Sequence, residues 1–348
     1  MSTIRLTALS HGAGCACKLS RDELRGVLES LGPVTHPDVV VGFGTRDDAA
    51  VWRDGGDRLR IATTDFFTPV VDDPATWGRI AAVNAVSDVY AMGGEPRVAL
   101  NLVGWPRDLP FELLREVLAG AAAVADETGH LVLGGHSIDS AEPLFGLAVY
   151  GDVAEADLLT NAGGRDGDAL VLTKALGTGI LMTAAKRAEP DAVVPGFADA
   201  VASMGTLNAE ASRAAVANGA TAATDVTGFG LLGHLHGLAT ASGLTAEVAA
   251  DLVPLLPGVL DAIAAGAVPG GTARNAEQAA AFLADTPGSR TLTVLADAQT
   301  SGGLLLACPE AAVDALLARL TAAGLPAARI GGLRSGTPGA VRVTGEVG

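Results

Sequence analysis

Aromatic side chains are scarce, at 4% of the 348 residues, so any core must be built on Ala, Val and Leu. Basic residues are outnumbered: 23 Lys and Arg face 39 Asp and Glu, a net charge of −16. That balance disfavours a general nucleic-acid binder, which needs a basic surface against phosphate. It also argues against docking on anionic lipid. It leaves open a phosphorylated small molecule, because Mg²⁺ can bridge carboxylates and phosphate. Cysteine is limited to Cys15, Cys17 and Cys308, too few and too odd in number for a disulfide framework. No apolar run approaches the length of a membrane span. The N-terminus carries Arg5 and then Thr7, Ser10, His11 and Gly12, with no apolar signal-peptide region, so a soluble, cytoplasmic chain is expected. Also missing are a G-x-x-x-x-G-K-[ST] loop and a G-x-G-x-x-G opening a first βα unit, which weakens P-loop and Rossmann readings.

What is present describes a folded chain with a sizeable core: 49% hydrophobic and only 18% charged residues. The length suggests two domains, and 45 glycines provide many sharp turns and close backbone approaches. Residues 1–18 are polar and Gly-rich and read as a flexible tail. Ser20 and Glu23 form a capping box for a helix whose stripe is Leu24, Val27, Leu28 and Leu31, stopped by Gly32-Pro33. Strands are expected at 48–52 and 59–65. A helix capped by Asp73, with Pro74 at its first position, should run to Met92. A strand at 97–103, a helix at 111–128, a short strand at 131–133 and a strand at 144–153 follow. This order reads as α+β rather than strict βαβ alternation. The Gly-, Asp- and Asn-rich stretch 155–168 marks the boundary, giving domains 19–155 and 156–348. In the second half, strands are expected at 169–173, 245–249, 291–296, 304–307 and 340–344. Helices are expected after the Lys174–Gly179 turn and at 196–218, 230–242, 275–285 and 310–323.

Aspartates at the ends of apolar segments form the strongest chemical pattern. Thr45-Arg46-Asp47-Asp48 precedes Ala49-Ala50-Val51, and Thr63-Thr64-Asp65 closes a strand. Asn84 and Asp88 share one helix face, and Asp225-Val226-Thr227-Gly228-Phe229-Gly230 opens a helix. Asp is disfavoured inside strands and helices, so several beside small residues suggest a hard cation completed by phosphate oxygens. Taken singly, each could be a cap or a turn residue: Asp225 could cap its helix and Asp47 could make an Asx-turn. Asp88, mid-helix among apolar residues, is harder to assign that way. Gly134-Gly135-His136-Ser137 follows a strand and could turn backbone N–H groups toward an anion; tight turns are the plainer reading.

Cys15-Ala16-Cys17-Lys18 places a lysine beside two thiols, and a neighbouring cation favours the nucleophilic thiolate. A nucleophile or substrate-binding thiol ranks first, a redox pair second, and zinc held with His11 third. Cys308, within Leu304-Leu305-Leu306-Ala307-Cys308, reads as structural. His136 could be a ligand or proton carrier. His234 and His236, two apart on a helix, receive no role.

Together these strings resemble the selenophosphate synthetase (selenide, water dikinase) family. The resemblance is carried by Ser10 through Lys18, Thr45 through Val51, Thr63-Thr64-Asp65-Phe66-Phe67, Asn84 through Gly94, Gly134 through Asp139, Asp225 through Gly230, and Gln299-Thr300-Ser301-Gly302-Gly303. The Cys-x-Cys-Lys element discriminates it from aminoimidazole ribonucleotide synthetase and thiamine-monophosphate kinase, which share the acidic and glycine patterns. The resemblance implies conversion of ATP, hydrogen selenide and water to selenophosphate, AMP and orthophosphate. It implies a two-domain α+β ATP-binding fold of the aminoimidazole ribonucleotide synthetase-like superfamily, with an N-terminal domain forming a dimer β-barrel and a C-terminal α/β sandwich. By position, Cys15 is implied as catalytic thiol and Lys18 as its basic partner and a nucleotide contact. Asp48, Asp88 and Asp225 are implied as Mg²⁺ ligands. Thr45, Arg46, Asp47, Asp65, Asp88, Gly135, His136 and Ser137 are implied as nucleotide contacts near a homodimer interface. Cys15 stands where the family often has selenocysteine, and Ala16 where Gly is common. The alternative is a sister ATP-dependent kinase or ligase of the same superfamily.

Overall fold

The computed structural model describes residues 4–10, 35–42, 44, 47–189 and 192–348. The expected helix at 20–31 and the residues Cys15, Cys17, Lys18, Thr45 and Arg46 lie outside that set. The first half is organised by a six-stranded sheet of β1 (Val39–Val41), β2 (Ala50–Trp52), β3 (Leu59–Phe67), β4 (Glu95–Trp105), β5 (Leu131–Asp139) and β6 (Leu144–Val153). Its spatial order is β1-β2-β3-β6-β4-β5, antiparallel except for the β4–β5 edge pair. Two helices, α1 (Pro74–Ala91) and α2 (Phe111–Thr128), connect its strands.

The second half has its own six-stranded sheet: β7 (Ala169–Leu172), β8 (Ala222–Asp225), β9 (Thr245–Ala249), β10 (Leu304–Cys308), β11 (Ala328–Arg334) and β12 (Val341–Thr344). The order is β12-β9-β11-β7-β10-β8, and the parallel pair is again at an edge, β9 with β12. Strands β7, β8 and β10 are buried at every residue, the mark of a sheet covered on both faces. The helices here are α3 (Thr178–Arg187), α4 (Phe197–Met204), α5 (Ala209–Ala217), α6 (Gly230–Ala241), α7 (Val259–Ala264), α8 (Gly270–Ala279), α9 (Ser289–Leu295) and α10 (Val313–Ala322).

Helix α1 is the axis of the molecule. Asp73 caps it, its carboxylate accepting the Thr76 N–H at 2.8 Å, and Pro74 occupies the first turn. Fourteen of its 18 residues are buried, because it contacts β3 and β6 on one side and β8 and α5 of the second half on another. A helix apolar on all sides must be enclosed in this way. Burying Ile80, Val83, Val86 and Val89 stabilises it by about 1.5–3 kcal/mol each. Its crossing with α2 depends on glycine: a Cβ on Gly78 would lie 1.9 Å from the Val117 carbonyl oxygen, and one on Gly120 1.9 Å from that of Ala75.

Several expectations need correction. Residues 291–296 are not a strand: 291–295 belong to α9 and Ala296 follows it as C-cap; the β-branched Thr291, Thr293 and Val294 suggested β, but tertiary context decides such short runs. The expected helix at 196–218 is two helices, α4 and α5, interrupted at residues 205–208. The expected helix at 275–285 lies earlier, at Gly270–Ala279. The Gly134–Ser137 turn is not a turn. Strand β5 runs through it to Asp139. Ala99 pairs with Val132 and Asn101 with Gly135, so β5 carries one extra residue and bulges at 133–134. Gly135, at φ +154°, lies against the Asn101 backbone, where a Cβ would sit 2.1 Å from the carbonyl oxygen.

Candidate active site

Of the expected aspartates, Asp48 and Asp225 come together where α1 of the first half meets the end of β8 in the second, while Asp88 lies nearby but outside that close group. Asp225 terminates β8 and is 2% exposed. It does not cap α6, whose first turn has no side-chain cap. Instead Ser87 on α1 donates its hydroxyl to Asp225 Oδ2 at 2.8 Å. Asn208 steadies that serine, donating to Ser87 Oγ and to the Gly302 carbonyl oxygen, each at 2.9 Å.

Asp48 reaches the same point from the first half. Thr224, the neighbour of Asp225, donates to Asp48 Oδ1 at 3.0 Å. Thr63 on β3 donates to Asp88 Oδ2 at 2.5 Å, and its oxygen lies 3.5 Å from the Asp48 carbonyl oxygen. Asp65 is joined one helical turn earlier: Asn84 Nδ2 donates to Asp65 Oδ2 at 2.5 Å, and Asn84 Oδ1 accepts the Ser301 N–H at 2.9 Å. Asp47 accepts the Asn161 N–H at 2.5 Å and so holds the segment connecting the halves. Carboxylate oxygens of Asp48 and Asp225 and a ring nitrogen of His234 all lie within 4.8 Å of one another.

The electrostatics of this cluster oppose a bare negative charge on Asp48. Burial first, and then the negative charge of Asp225, hold the Asp48 carboxyl well above the usual carboxylate range. The residue is half-buried, but its Oδ2 is fully buried and without a hydrogen-bond partner among the described residues. A nearby positive group among the described residues is Lys174, 2% exposed, whose ammonium donates to the carbonyl oxygens of Thr206 at 2.6 Å and Ser301 at 2.9 Å. Burial lowers its pKa to about 7 against the pull of Asp225, so it is a weak counter-charge at neutral pH. Hard carboxylate oxygens, one of them orphaned and buried, fit a hard divalent cation such as Mg²⁺.

Gly135, His136 and Ser137 lie elsewhere. They sit exposed on the open edge of the first sheet, three strand spacings or about 14 Å from the strand carrying Asp65. Cys308 is fully buried in β10, and burial pushes its thiol up, which suits a structural residue. Sequence reasoning missed Ser87, Lys174, Thr224 and His234. Thr224 stands next to Asp225, and Lys174 follows the wholly apolar β7; those positions were the available signals. His234 offered none, because its place on the buried face of α6 depends on how that helix docks.

The two sheet-and-helix halves define a class. The family description "AIR synthase related protein, N-terminal domain" matches residues 46–153, and "AIR synthase related protein, C-terminal domain" matches residues 165–344. The thiamine monophosphate kinase of Aquifex aeolicus has the same fold at TM-score 0.67 and 17% identity, with 95% of this chain and 99% of that one covered. Hydrogenase maturation protein HypE in complex with ATP superposes at TM-score 0.64 and 20% identity, covering 98% and 94%. Sequence similarity is more specific. Proteins named selenide, water dikinase from Shewanella sp. (strain W3-18-1) and Shewanella putrefaciens are each 46% identical over 340 residues, 96% of this chain and 95% of the relative. The chain belongs to the selenide, water dikinase family.

Proposed function

We propose that this chain is a selenophosphate synthetase, converting ATP, hydrogen selenide and water to selenophosphate, AMP and orthophosphate. The observation that carries the reading is the 46% identity with selenide, water dikinases along almost the whole of both chains. The meeting of Asp48 with Asp225, with Asp88 nearby beside Thr63, supports it, since phosphoryl transfer from ATP depends on positioning and charge neutralisation. These three carboxylates would hold Mg²⁺, which supplies the positive charge that offsets repulsion between ATP and the acidic site. The chain's own residues prepare that site. Ser87 fixes one oxygen of Asp225, Thr224 fixes one oxygen of Asp48, and Thr63 fixes one oxygen of Asp88. At Asp48 the hydroxyl bond is to Oδ1, and Oδ2, without a partner among the described residues, would face a ligand.

Thr45, Arg46, Asp47 and Asp65 would contact the nucleotide near the carboxylates, and Cys15 and Lys18 would bring the selenide-handling thiol and its basic partner. Gly135, His136 and Ser137 would take part from the sheet edge. That edge also favours a homodimer: among the described residues β5 pairs on one side only, and Leu131, Leu133 and Ile138 on it are 56–64% exposed. An open, apolar edge strand is a template for a second copy. Among the described residues no helix is long and apolar enough to cross a membrane, in keeping with a cytoplasmic enzyme.

Anaerobic incubation with Mg-ATP, with and without selenide, followed by ³¹P NMR of all products, tests the reading. Selenide-dependent selenophosphate with matched AMP and orthophosphate is expected. Cys15→Ser should abolish selenide-dependent turnover and leave ATP binding intact. ADP as the end product, or turnover indifferent to selenide, would move the chain to a sister kinase or ligase.

A further inference from the structure

His234 lies with Asp48 and Asp225 in a group whose ligand atoms are within 4.8 Å of one another, which at first sight offers a cation two carboxylates and an imidazole. The hydrogen bonds exclude that role. The Thr227 backbone N–H donates to His234 Nε2 at 3.1 Å. A backbone N–H can only donate, so Nε2 must be the unprotonated nitrogen, and its lone pair is already used. The ring proton is therefore on Nδ1, which has no lone pair left for a metal. Nδ1 lies 3.4 Å from Thr224 Oγ1, and that hydroxyl lies 3.0 Å from Asp48 Oδ1. A consistent set of directions is Thr227 N–H to Nε2, Nδ1–H to the Thr224 oxygen, and Thr224 O–H to Asp48 Oδ1, the shorter of that hydroxyl's two contacts, the Asp225 carbonyl oxygen lying at 3.2 Å. At the end of this chain Asp48 Oδ2 is buried and without a partner among the described residues. The ring itself is held, 7% exposed, with its centroid 5.6 Å from that of Phe229.

We propose that His234 is a positioning residue, fixed as the Nδ1–H tautomer, which acts through Thr224 to aim the free oxygen of Asp48 at the cation while keeping nitrogen out of its ligand shell. The proposal rests on the reading that a divalent cation binds Asp48 and Asp225. Outer partners that orient metal ligands commonly contribute 10- to 100-fold to metal affinity. Keeping the ligands all-oxygen also favours Mg²⁺ over metals that prefer imidazole, such as Zn²⁺.

Three measurements on the full chain test this. The first is the imidazole ¹⁵N spectrum of His234 with and without Mg²⁺, which reads the tautomer independently of activity. The second is Mn²⁺ affinity by electron paramagnetic resonance for wild type, His234→Leu, His234→Asn and Thr224→Val. The third is Zn²⁺ affinity for wild type and His234→Asn. Asn can place its amide N–H near the Nδ1 position, whereas Leu cannot. Expected are an Nδ1–H tautomer with and without Mg²⁺, Mn²⁺ affinity weakened about 10- to 100-fold in His234→Leu and Thr224→Val, near-wild-type affinity in His234→Asn, and unchanged Zn²⁺ affinity. If His234→Leu does not fold, Thr224→Val and His234→Asn still decide the matter. Loss of tight Zn²⁺ binding in His234→Asn would make His234 a ligand and overturn the proposal. So would an Nε2–H tautomer, or equal Mn²⁺ affinity in all variants. Failure of the wild-type chain to bind Mn²⁺ at all would remove the cation reading itself, a result distinct from a wrong tautomer with normal Mn²⁺ binding.

Discussion

Replacing Asp48 by Asn should make the ligand-free chain more stable and the stabilisation by ligand smaller. In the wild type, burial and the neighbouring charge of Asp225 both oppose ionisation of Asp48, so the carboxylate is held at a cost to folding. Asn keeps the acceptor for Thr224 at the Oδ1 position. It presents an N–H₂ where Oδ2 was, so repulsion toward Asp225 becomes attraction. Relief of this kind at a functional position is worth about 0.5–2 kcal/mol. The stabilisation by ligand changes in the opposite direction. At a concentration 100 times its Kd, a ligand stabilises the folded state by about 2.7 kcal/mol. If loss of one carboxylate weakens binding by about 10- to 100-fold, the same concentration yields only about 1.4 to 0.4 kcal/mol. Thermal unfolding of both proteins, with and without Mg²⁺ and a non-hydrolysable ATP analogue, should therefore show the variant ahead without ligand and its ligand shift smaller by about 1.3 to 2.3 kcal/mol. A ligand-free Asn variant less stable than wild type would refute the electrostatic argument. An undiminished ligand shift would refute the placement of Asp48 at the cation.

Asp297 is fully buried, accepts hydrogen bonds from Thr272 and Gln299, and has its pKa pushed to about 7 by burial against a reference of 3.8. A raised carboxyl pKa contributes stability that is present below the unfolded value and lost as pH rises through the folded one. Roughly 4 kcal/mol should drain away between about pH 4 and 7. Asp297→Asn should lack this slope, so urea unfolding at pH 5 and pH 8 should show the variant gaining on wild type as pH rises; parallel profiles would contradict the burial argument. At the sheet edge, Leu133→Glu places a charge on an apolar side chain that is 64% exposed on β5. Sedimentation velocity should show the wild type as a dimer and the variant shifted to monomer, and an unshifted variant would remove β5 from the interface.

How much could be read in advance depended on how local the determining physics was. Helix α1 was legible from end to end, because an Asp-Pro start and a Gly-Gly stop are local signals. So was α2, whose boundaries coincide with the expected 111–128. Strand β11 went unnoticed because Ala328–Arg334 contains two glycines and two arginines and becomes a strand only between β7 and β9. The bulge in β5 escaped for a similar reason: a Gly-Gly pair reads as a turn until the register against β4 is known. At the site, the aspartates stood out because charge among small apolar residues is locally anomalous. Ser87, Thr224 and His234 are ordinary in sequence, and their meaning comes from separations of 138, 176 and 10 residues across the bonds they make.

Those long separations have a physical consequence. The bonds from Ser87 to Asp225, from Thr224 to Asp48 and from Asn161 to Asp47 each join one half of the chain to the other, and each ends on a carboxylate. Hydrogen bonds to charged groups contribute about 1.5–3 kcal/mol apiece when made and cost more when one partner is left buried alone. The same acids that would receive the cation therefore help dock the halves. Neither half presents Asp48 and Asp225 together by itself, so the site and the interface between the halves form in one event. Lys174 and the uncharged Asn84–Ser301 bond lie at the same junction. Changes there should disturb docking and cation affinity together, whereas changes on the remote β5 edge should leave both unaltered.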